Sequence, residues 1–272
     1  MAGKRVCAHI AIAFFSCFCI IKKSRPVANL NCMENQDLQQ ELIASPVSEA
    51  DLAILRKMMT VGLMYGHKKS KTNPKFKQYI YTNRNGIEII DLTQTLSALD
   101  AAVEFVKSQI KEGKLILLVA TQPASREAVE NLAKKFNFSY INEKWIGGLL
   151  TNFKVISQRI EYFKKVQADF EKGEFEKYTK KERVVINRNI SRMKKMFTGL
   201  ENLTRLPDAV FIIDPSLKGH TTAVREARRA GIPIVAILDS DDDPDLVNFP
   251  IPANDHTKMS IDWLINKISE KL

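Results

Sequence analysis

Beyond residue 32 the chain has no cysteine: Cys7, Cys17, Cys19 and Cys32 are all four of them, in a sequence of 272 residues. The rest can hold neither a disulfide nor a thiolate metal site, which fits a reducing compartment. Phosphate-binding glycines are missing as well. No Gly-x-Gly-x-x-Gly follows an apolar run and no Gly-x4-Gly-Lys-Ser/Thr loop occurs, so the usual backbone cradles for nucleotides are excluded. His67, His220 and His256 stand far apart, each in a loop with no His or Cys at ligand spacing, and no metal site or cofactor is assigned. Long apolar runs are scarce. Residues 6–21 are the one candidate, but His9 and Ser16 interrupt them and basic residues flank both ends. A spanning helix needs about 20 apolar residues, and no small-x-small cleavage site follows. Residues 1–45 are therefore expected to be an extension of the folded part, either without order or upstream of a true start at Met33, and no membrane partner is expected.

What the chain does have is positive charge, unevenly placed. Its net charge is +10. Between Lys154 and Arg205 fourteen Lys and Arg face seven acids, so this stretch alone contributes +7. Charge gathered on one element, in place of dilution over the surface, points to a polyanionic partner, and nucleic acid is the one expected. A second basic stretch follows Gly66, with Lys68, Lys69, Lys71, Lys75 and Lys77 interleaved with Phe76, Tyr79 and Tyr81 and no acid before Glu88. Pro74, Asn73 and the close lysines exclude a regular helix there. Such a run repels itself unless an anion lies against it, so we read it as a phosphate-contact loop.

The remainder alternates strand and helix. Residues 87–91, 115–120, 138–141, 209–213 and 232–238 are short apolar runs of the kind buried on both faces of a parallel sheet. Amphipathic stretches at 93–111, 123–136, 220–230 and 257–270 separate them or follow them, and Ser48 with Asp51 caps an earlier helix that ends between Gly62 and Gly66. The fold class is α/β, a doubly wound and mainly parallel sheet with flanking helices. The basic segment 153–205 interrupts the wiring of a sandwich formed by 46–152 and 206–272. Phe153, Ile156, Ile160, Phe163, Gln167 and Phe170 step by three and four, and so do Ile186, Ile190, Met193, Phe197 and Leu200. Two such seams joined at Gly173, with Thr179 and Glu182 as a capping box, predict an inserted antiparallel coiled-coil hairpin whose apolar stripe packs internally and whose cations face outward. Asn152 is the expected cap of its first helix.

One acidic cluster invites an enzyme reading. Residues 239–245 read Asp-Ser-Asp-Asp-Asp-Pro-Asp at the carboxyl end of a strand, where Mg2+ could meet carboxylate oxygens. Consecutive acids beside Pro244 are not expected to converge on one ion, and no lysine clamp accompanies them. We read the cluster as a solvated turn with Asp239 capping backbone amides, and no nucleophile and base pair can be named.

Gly66-His-Lys-Lys, Asn73-Pro-Lys, Arg84-Asn-Gly-Ile-Glu-Ile-Ile-Asp-Leu, Lys144-Trp-Ile-Gly-Gly-Leu-Leu-Thr-Asn-Phe153, Leu206-Pro-Asp-Ala-Val-Phe-Ile-Ile-Asp-Pro215, Glu226-Ala with Gly231-Ile-Pro, Asp243-Pro and Phe249-Pro-Ile-Pro-Ala-Asn-Asp255 occur in this order. In these motifs and their spacing the chain resembles the bacterial-type small-subunit ribosomal protein S-two family over about residues 50–272. The resemblance implies a non-enzymatic constituent of the small ribosomal subunit, bound to ribosomal RNA near the head-body junction and supporting translation in the cytoplasm. It also implies neighbouring small-subunit proteins, among them the ribosomal protein S-one, as partners, and no small-molecule substrate. Four positions depart from the family: Lys144 stands for Arg, Ser240-Asp241 for Thr-Asn, and Ala253 for Gly, which argues against a positive-φ turn at 253. The alternatives are a nucleotide-dependent α/β enzyme and a free regulatory RNA-binding protein. For the RNA surface the expected residues are Lys68, Lys69, Lys71, Lys75, Lys77, Arg84 and Lys144, with Trp145 able to stack or to pack, and Arg183, Arg188, Arg192, Lys194 and Lys195 on the hairpin. These cations should touch phosphates and read shape, since paired RNA offers little base edge.

Overall fold

Residues 49–172, 174–177 and 179–272 are described by a computed structural model. The expected N-terminal extension, the choice of Met33 as start and the Ser48 cap lie outside them. Helix α1 (Glu49–Val61) ends on Gly62 at φ +84, where Leu63 N donates to Met58 O at 3.1 Å. Glycine tolerates this left-handed stop, and the bond satisfies a carbonyl that the helix end leaves free.

Three strands follow: β1 (Tyr65–Lys68), β2 (Ile80–Arg84) and β3 (Ile87–Ile90). They form a small antiparallel sheet in the order β1-β3-β2. This corrects the expectation that residues 87–91 join the parallel sheet. Asn85 at φ 51 and Gly86 at φ 78 make the two-residue reversal between β2 and β3, the conformation that an Asn-Gly pair favours because both residues accept positive φ.

The main sheet is parallel throughout and runs β5 (Ser139–Ile141), β4 (Ile116–Val119), β6 (Ala209–Ile213), β7 (Ile234–Leu238), β8 (Phe249–Pro252). In register Ile116 faces Ala209, Val210 faces Ile234 and Val235 faces Phe249. Strand order reverses between β4 and β6, which opens a crevice at their carboxyl ends. β8 was not expected because Pro250 and Pro252 interrupt it; as the edge strand it pairs on one side only, so the missing N–H groups are tolerated. Ala253 continues the edge in place, donating its N–H to Leu238 O at 2.8 Å while fully buried, and it has no positive φ.

Helices α2 (Leu92–Lys111), α3 (Pro123–Phe136), α6 (His220–Ala230) and α7 (Lys258–Lys271) match the amphipathic stretches within a residue or so. α2 packs on β8, and α3 on α7. One face of the sheet, through Leu117, Val119, Val210, Ile212, Ile234 and Ala236, buries itself against Ala223, Val224 and Ala227 of α6 and against Ile156, Ile160 and Phe163 from the insertion.

That insertion is a helical hairpin of α4 (Phe153–Glu171) and α5 (Lys180–Phe197), inserted between β5 and β6. The capping box is present: Thr179 Oγ1 accepts from Glu182 N at 3.5 Å and Glu182 Oε2 accepts from Thr179 N at 3.0 Å. The expected Asn152 cap is not. Its side chain makes no capping bond, and only its carbonyl receives Val155 N and Ile156 N. The seam is also only partly internal. Phe163 and Phe197 are buried with ring centroids 6.0 Å apart, whereas Phe170 is half exposed. Burial needs the sheet beneath, and the seam loses it towards the tip. At the root, Gly199 is obligatory, because a Cβ there would lie 2.1 Å from the Tyr140 carbonyl of β5.

Candidate nucleic-acid interface

The basic loop between β1 and β2 is held by the acidic turn after β7. Asn73 N donates to Ser240 O at 2.8 Å, and His67 N to Ser240 Oγ at 2.7 Å. Gly66 allows the approach, since a Cβ would come within 2.9 Å of Ser240 Oγ. A short 3-10 turn (Pro74–Tyr79), capped by the Asn73 side chain on Lys75 N, then plugs Phe76 fully into the core. The lysines thus ride on a pinned loop and not on a loose one.

Pinning sorts them. Lys68, Lys69, Lys71 and Lys77 are exposed and make no ion pair among the described residues. Lys75 differs: its Nζ lies 2.9 Å from Asp243 and 2.8 Å from Asp245. The hydrogen bonds that its ammonium donates to Asp245 and then to Asp243 raise its pKa above the usual lysine range. Lys75 is therefore corrected from a free phosphate contact to an intramolecular partner. The acids that hold it are about 170 positions away, beyond the reach of any local charge count. Arg84 is half-buried at the end of β2.

Lys144 is exposed and borders a groove with Gly147, Lys218, Gly219 and Thr222, beside the crevice where strand order reverses. Its neighbour Trp145 is 5 % exposed and donates Nε1 to Glu226 at 3.3 Å. A ring buried on both faces cannot stack on a base, so Trp145 is corrected to a packing residue. Glu226 of α6 stands in one of the motifs that carry the family resemblance, but no role was expected for it. Its carboxylate also accepts Gly148 N at 2.8 Å and Leu150 N at 3.2 Å, and so fixes the whole Trp-Ile-Gly-Gly-Leu-Leu turn from one side chain.

On the hairpin, Arg188, Arg192, Lys194 and Lys195 are exposed, and Arg188 and Arg192 line a shallow groove on α5 with Val184, Asn187 and Ser191. Arg183 is half-buried, at helical spacing from the seam residues Ile186 and Ile190. Not every hairpin cation faces out, because Lys164 Nζ is used on the Glu201 carbonyl at 2.7 Å.

The turn at 239–245 is not a solvated one. Asp239, Ser240 and Asp242 are buried, with Asp239 Oδ1 accepting Ser240 N and Asp242 Oδ2 accepting Asp239 N. Nor are the histidines solitary. His67 and His256 meet edge to face with centroids 4.7 Å apart, and His67 Nδ1 is 2.8 Å from Asp239. His220 is buried under the crevice: Nδ1 donates to Asp214 O at 2.6 Å, and Nε2 accepts Thr121 N at 3.3 Å. Burial holds its pKa below the usual imidazole range, so it is neutral.

Residues 58–272, which include the crevice, the pinned lysines and the hairpin, match the family model described as Ribosomal protein S2. The chain belongs to the ribosomal protein S2 family. It is 41 % identical over 219 residues to the small ribosomal subunit protein uS2 of Dictyoglomus thermophilum, covering 80 % of this chain and 88 % of the relative. Against the same protein of Corynebacterium diphtheriae identity is 42 % over 216 residues, covering 79 % and 80 %. Against that of Thermus thermophilus it is 39 % over 213 residues, covering 78 % and 82 %. Family membership settles the enzyme question: ribosomal protein S2 is a structural component and not a catalyst. Among the described residues no helix is long and apolar enough to cross a membrane.

Proposed function

We propose that this chain takes its place in the small ribosomal subunit, near the junction of head and body, by binding ribosomal RNA with two basic surfaces. One is the pinned loop with Lys68, Lys69, Lys71 and Lys77, joined by Arg84 and Lys144. The other is the outer side of α5 with Arg188, Arg192, Lys194 and Lys195. Neighbouring small-subunit proteins, S-one among them, are its protein partners, and its location is the ribosome in the cytoplasm. The observation that carries the RNA reading is that four lysines on a loop anchored at both ends stay exposed without an ion pair among the described residues, beside a lysine that is paired. Held in place and unneutralised, they favour phosphates whose positions are fixed, at little entropy loss on binding.

The test replaces Lys68, Lys69, Lys71 and Lys77 together with alanine and measures binding to small-subunit RNA as salt is raised. Each lost phosphate contact removes about 0.7–0.9 from the slope of log K against log salt, so the four together should flatten it by about 3. Sucrose-gradient sedimentation should show the variant depleted from small subunits. A variant that enters subunits as well as the natural chain, with an unchanged salt slope, refutes the assignment.

A further inference from the structure

Helices α3 and α7 pack side by side around an open-topped cavity of about 440 Å3 that RNA binding leaves without a role. That volume lies in the range of small-ligand sites. Its floor is apolar, with Ala128, Leu132 and Ile265 buried beneath it. Glu127, Asn131 and Lys135 form one rim at successive turns of α3, and Lys258, Asp262 and Asn266 form the other on α7, since residues four apart share a helix face. The rims join at both ends. Lys258 Nζ pairs with Glu127 at 2.6 Å, and Lys135 Nζ donates to Ser269 Oγ at 2.7 Å and to the Ser269 carbonyl at 3.2 Å. The space between is a basin with closed ends and not a through groove.

The middle of the basin is unspent. Asn131, Asp262 and Asn266 make no hydrogen bond or ion pair among the described residues, and Asp262 is half-buried. Two carboxamides and a carboxylate thus face one apolar-floored space with their hydrogen-bonding capacity free. The charges are ordered along it as well. Lys258 is matched by Glu127, so the charges left over are the Asp262 carboxylate and the Lys135 ammonium, which Ser269 holds with neutral groups only. The span of α7 from Asp262 to Ser269 is about 10 Å along the axis. At that separation ordinary salt largely screens the two from each other, and they do not cancel. Opposite charges set apart over an apolar floor complement an alkyl chain that carries a cation at one end and a carboxylate at the other.

The geometry points to a binding site for the carboxy-terminal arginine or lysine residue of a partner chain. Its side-chain cation meets Asp262, its methylenes lie on Leu132 and Ile265, and its terminal carboxylate meets Lys135. The carboxamide oxygens of Asn131 and Asn266 accept its remaining N–H groups. Arginine suits Asp262 better than lysine does, because a guanidinium can give a carboxylate two parallel hydrogen bonds. A free amino acid fits less well, since Glu127 is taken and no acid remains for an α-ammonium. The site lies on α3 and α7 and uses none of the cations assigned to RNA.

The test uses the full chain with a nitrogen isotope label and N-acetylarginine as the probe, which keeps the side-chain cation and the free carboxylate but has no α-ammonium. The side-chain amide resonances of Asn131 and Asn266 are followed by nuclear magnetic resonance through a titration. Saturable shifts are expected. Binding should weaken about tenfold or more with N-acetylarginine amide, which lacks the carboxylate, and with N-acetylcitrulline, which lacks the cation. Asp262→Asn and Lys135→Ala should each weaken N-acetylarginine about tenfold. Asp262 has no hydrogen bond in the fold to lose, so its variant stays folded and keeps the test open if Lys135→Ala loosens the α3–α7 contact. No saturable shift in the natural chain, equal binding of either analogue, or full binding by Asp262→Asn overturns the proposal. Tighter binding of free arginine than of N-acetylarginine overturns the assignment to a chain terminus.

Discussion

Glu226 offers the sharpest test of how the Lys144-Trp-Ile-Gly-Gly turn is built. It is 9 % exposed and takes three N–H groups, from Trp145, Gly148 and Leu150. Truncation to alanine strands those donors. The Gly148 amide is partly open to water, so the loss is dominated by Trp145 Nε1 and the Leu150 amide. At about 1–3 kcal/mol for each unsatisfied buried group, Glu226→Ala should lose about 3–4 kcal/mol. Glu226→Gln keeps the shape and one acceptor oxygen but turns an NH2 towards a donor, and should lose about 2 kcal/mol. For a domain of this size about 2–4 °C of melting temperature accompanies each kcal/mol. The expected falls are therefore about 4–8 °C for Gln and about 6–16 °C for Ala. Circular dichroism gives the global melt, and tryptophan emission reports the site, since Trp145 and Trp263 are the two tryptophans. If both variants melt within about 1 °C of the natural chain, a difference worth under about 0.5 kcal/mol, the carboxylate does not organise the turn. If Gln is as unstable as Ala, its remaining acceptor does nothing.

Three further outcomes are expected. Phe163→Ala, at a fully buried seam position, should lose about 3–5 kcal/mol in chemical denaturation, while half-exposed Phe170→Ala should change stability by under about 0.5 kcal/mol; equal losses would mean that the seam is uniformly packed. Lys75→Ala should leave the salt slope of RNA binding nearly unchanged, while Lys71→Ala lowers it by about 0.7–0.9, because Asp243 and Asp245 already occupy the first ammonium; matching slopes would contradict this division. His220 should make the fold acid-sensitive. With its folded pKa held below the usual value, the stability it confers is present above about pH 6.5 and lost as pH falls below that, because the unfolded imidazole gains a proton that the folded one refuses. Melting temperatures at pH 7.5 and pH 5.5 should converge in His220→Gln, and an unaltered gap would assign the acid sensitivity to another group.

Sequence periodicity reveals elements that are buried on one side or both, which is why β4, β6, β7, the flanking helices and both hairpin helices could be read directly. It fails where pairing, not burial, makes the strand. Residues 80–84 alternate too briefly to stand out, and the Asn85-Gly86 reversal, which was there to be read, places β3 in an antiparallel hairpin and not in the parallel sheet. Pro250 and Pro252 concealed β8 because a sequence does not say which strand is an edge. The candidate surface was legible by residue type but not by availability. Lys75 and Lys77 are two residues apart, and only the fold brings Asp243 and Asp245 to one of them. Trp145 as a possible stacking ring and the histidines as solitary residues failed for the same reason: the partner that decides each role is remote in sequence. Glu226 stood out only as part of a family motif, and nothing local said that it holds a turn some 80 positions away.

The place of the hairpin in the chain has a kinetic side. β4 pairs with β6 across 93 residues, from Ile116 to Ala209, and a connection that long would ordinarily make the sheet late to close. Of these, the 45 residues from Phe153 to Phe197 hold two helices whose hydrogen bonds are local, and helices of this length form and melt on a timescale of about a microsecond. Once they have formed, the free length to be closed is halved, and each halving lowers the closure entropy by only about 0.6 kcal/mol. Closure thus depends weakly on the arm's length. Between two neighbouring strands of a parallel sheet, the chain can grow a projection this large, or lengthen it further, without slowing the step that completes the sheet.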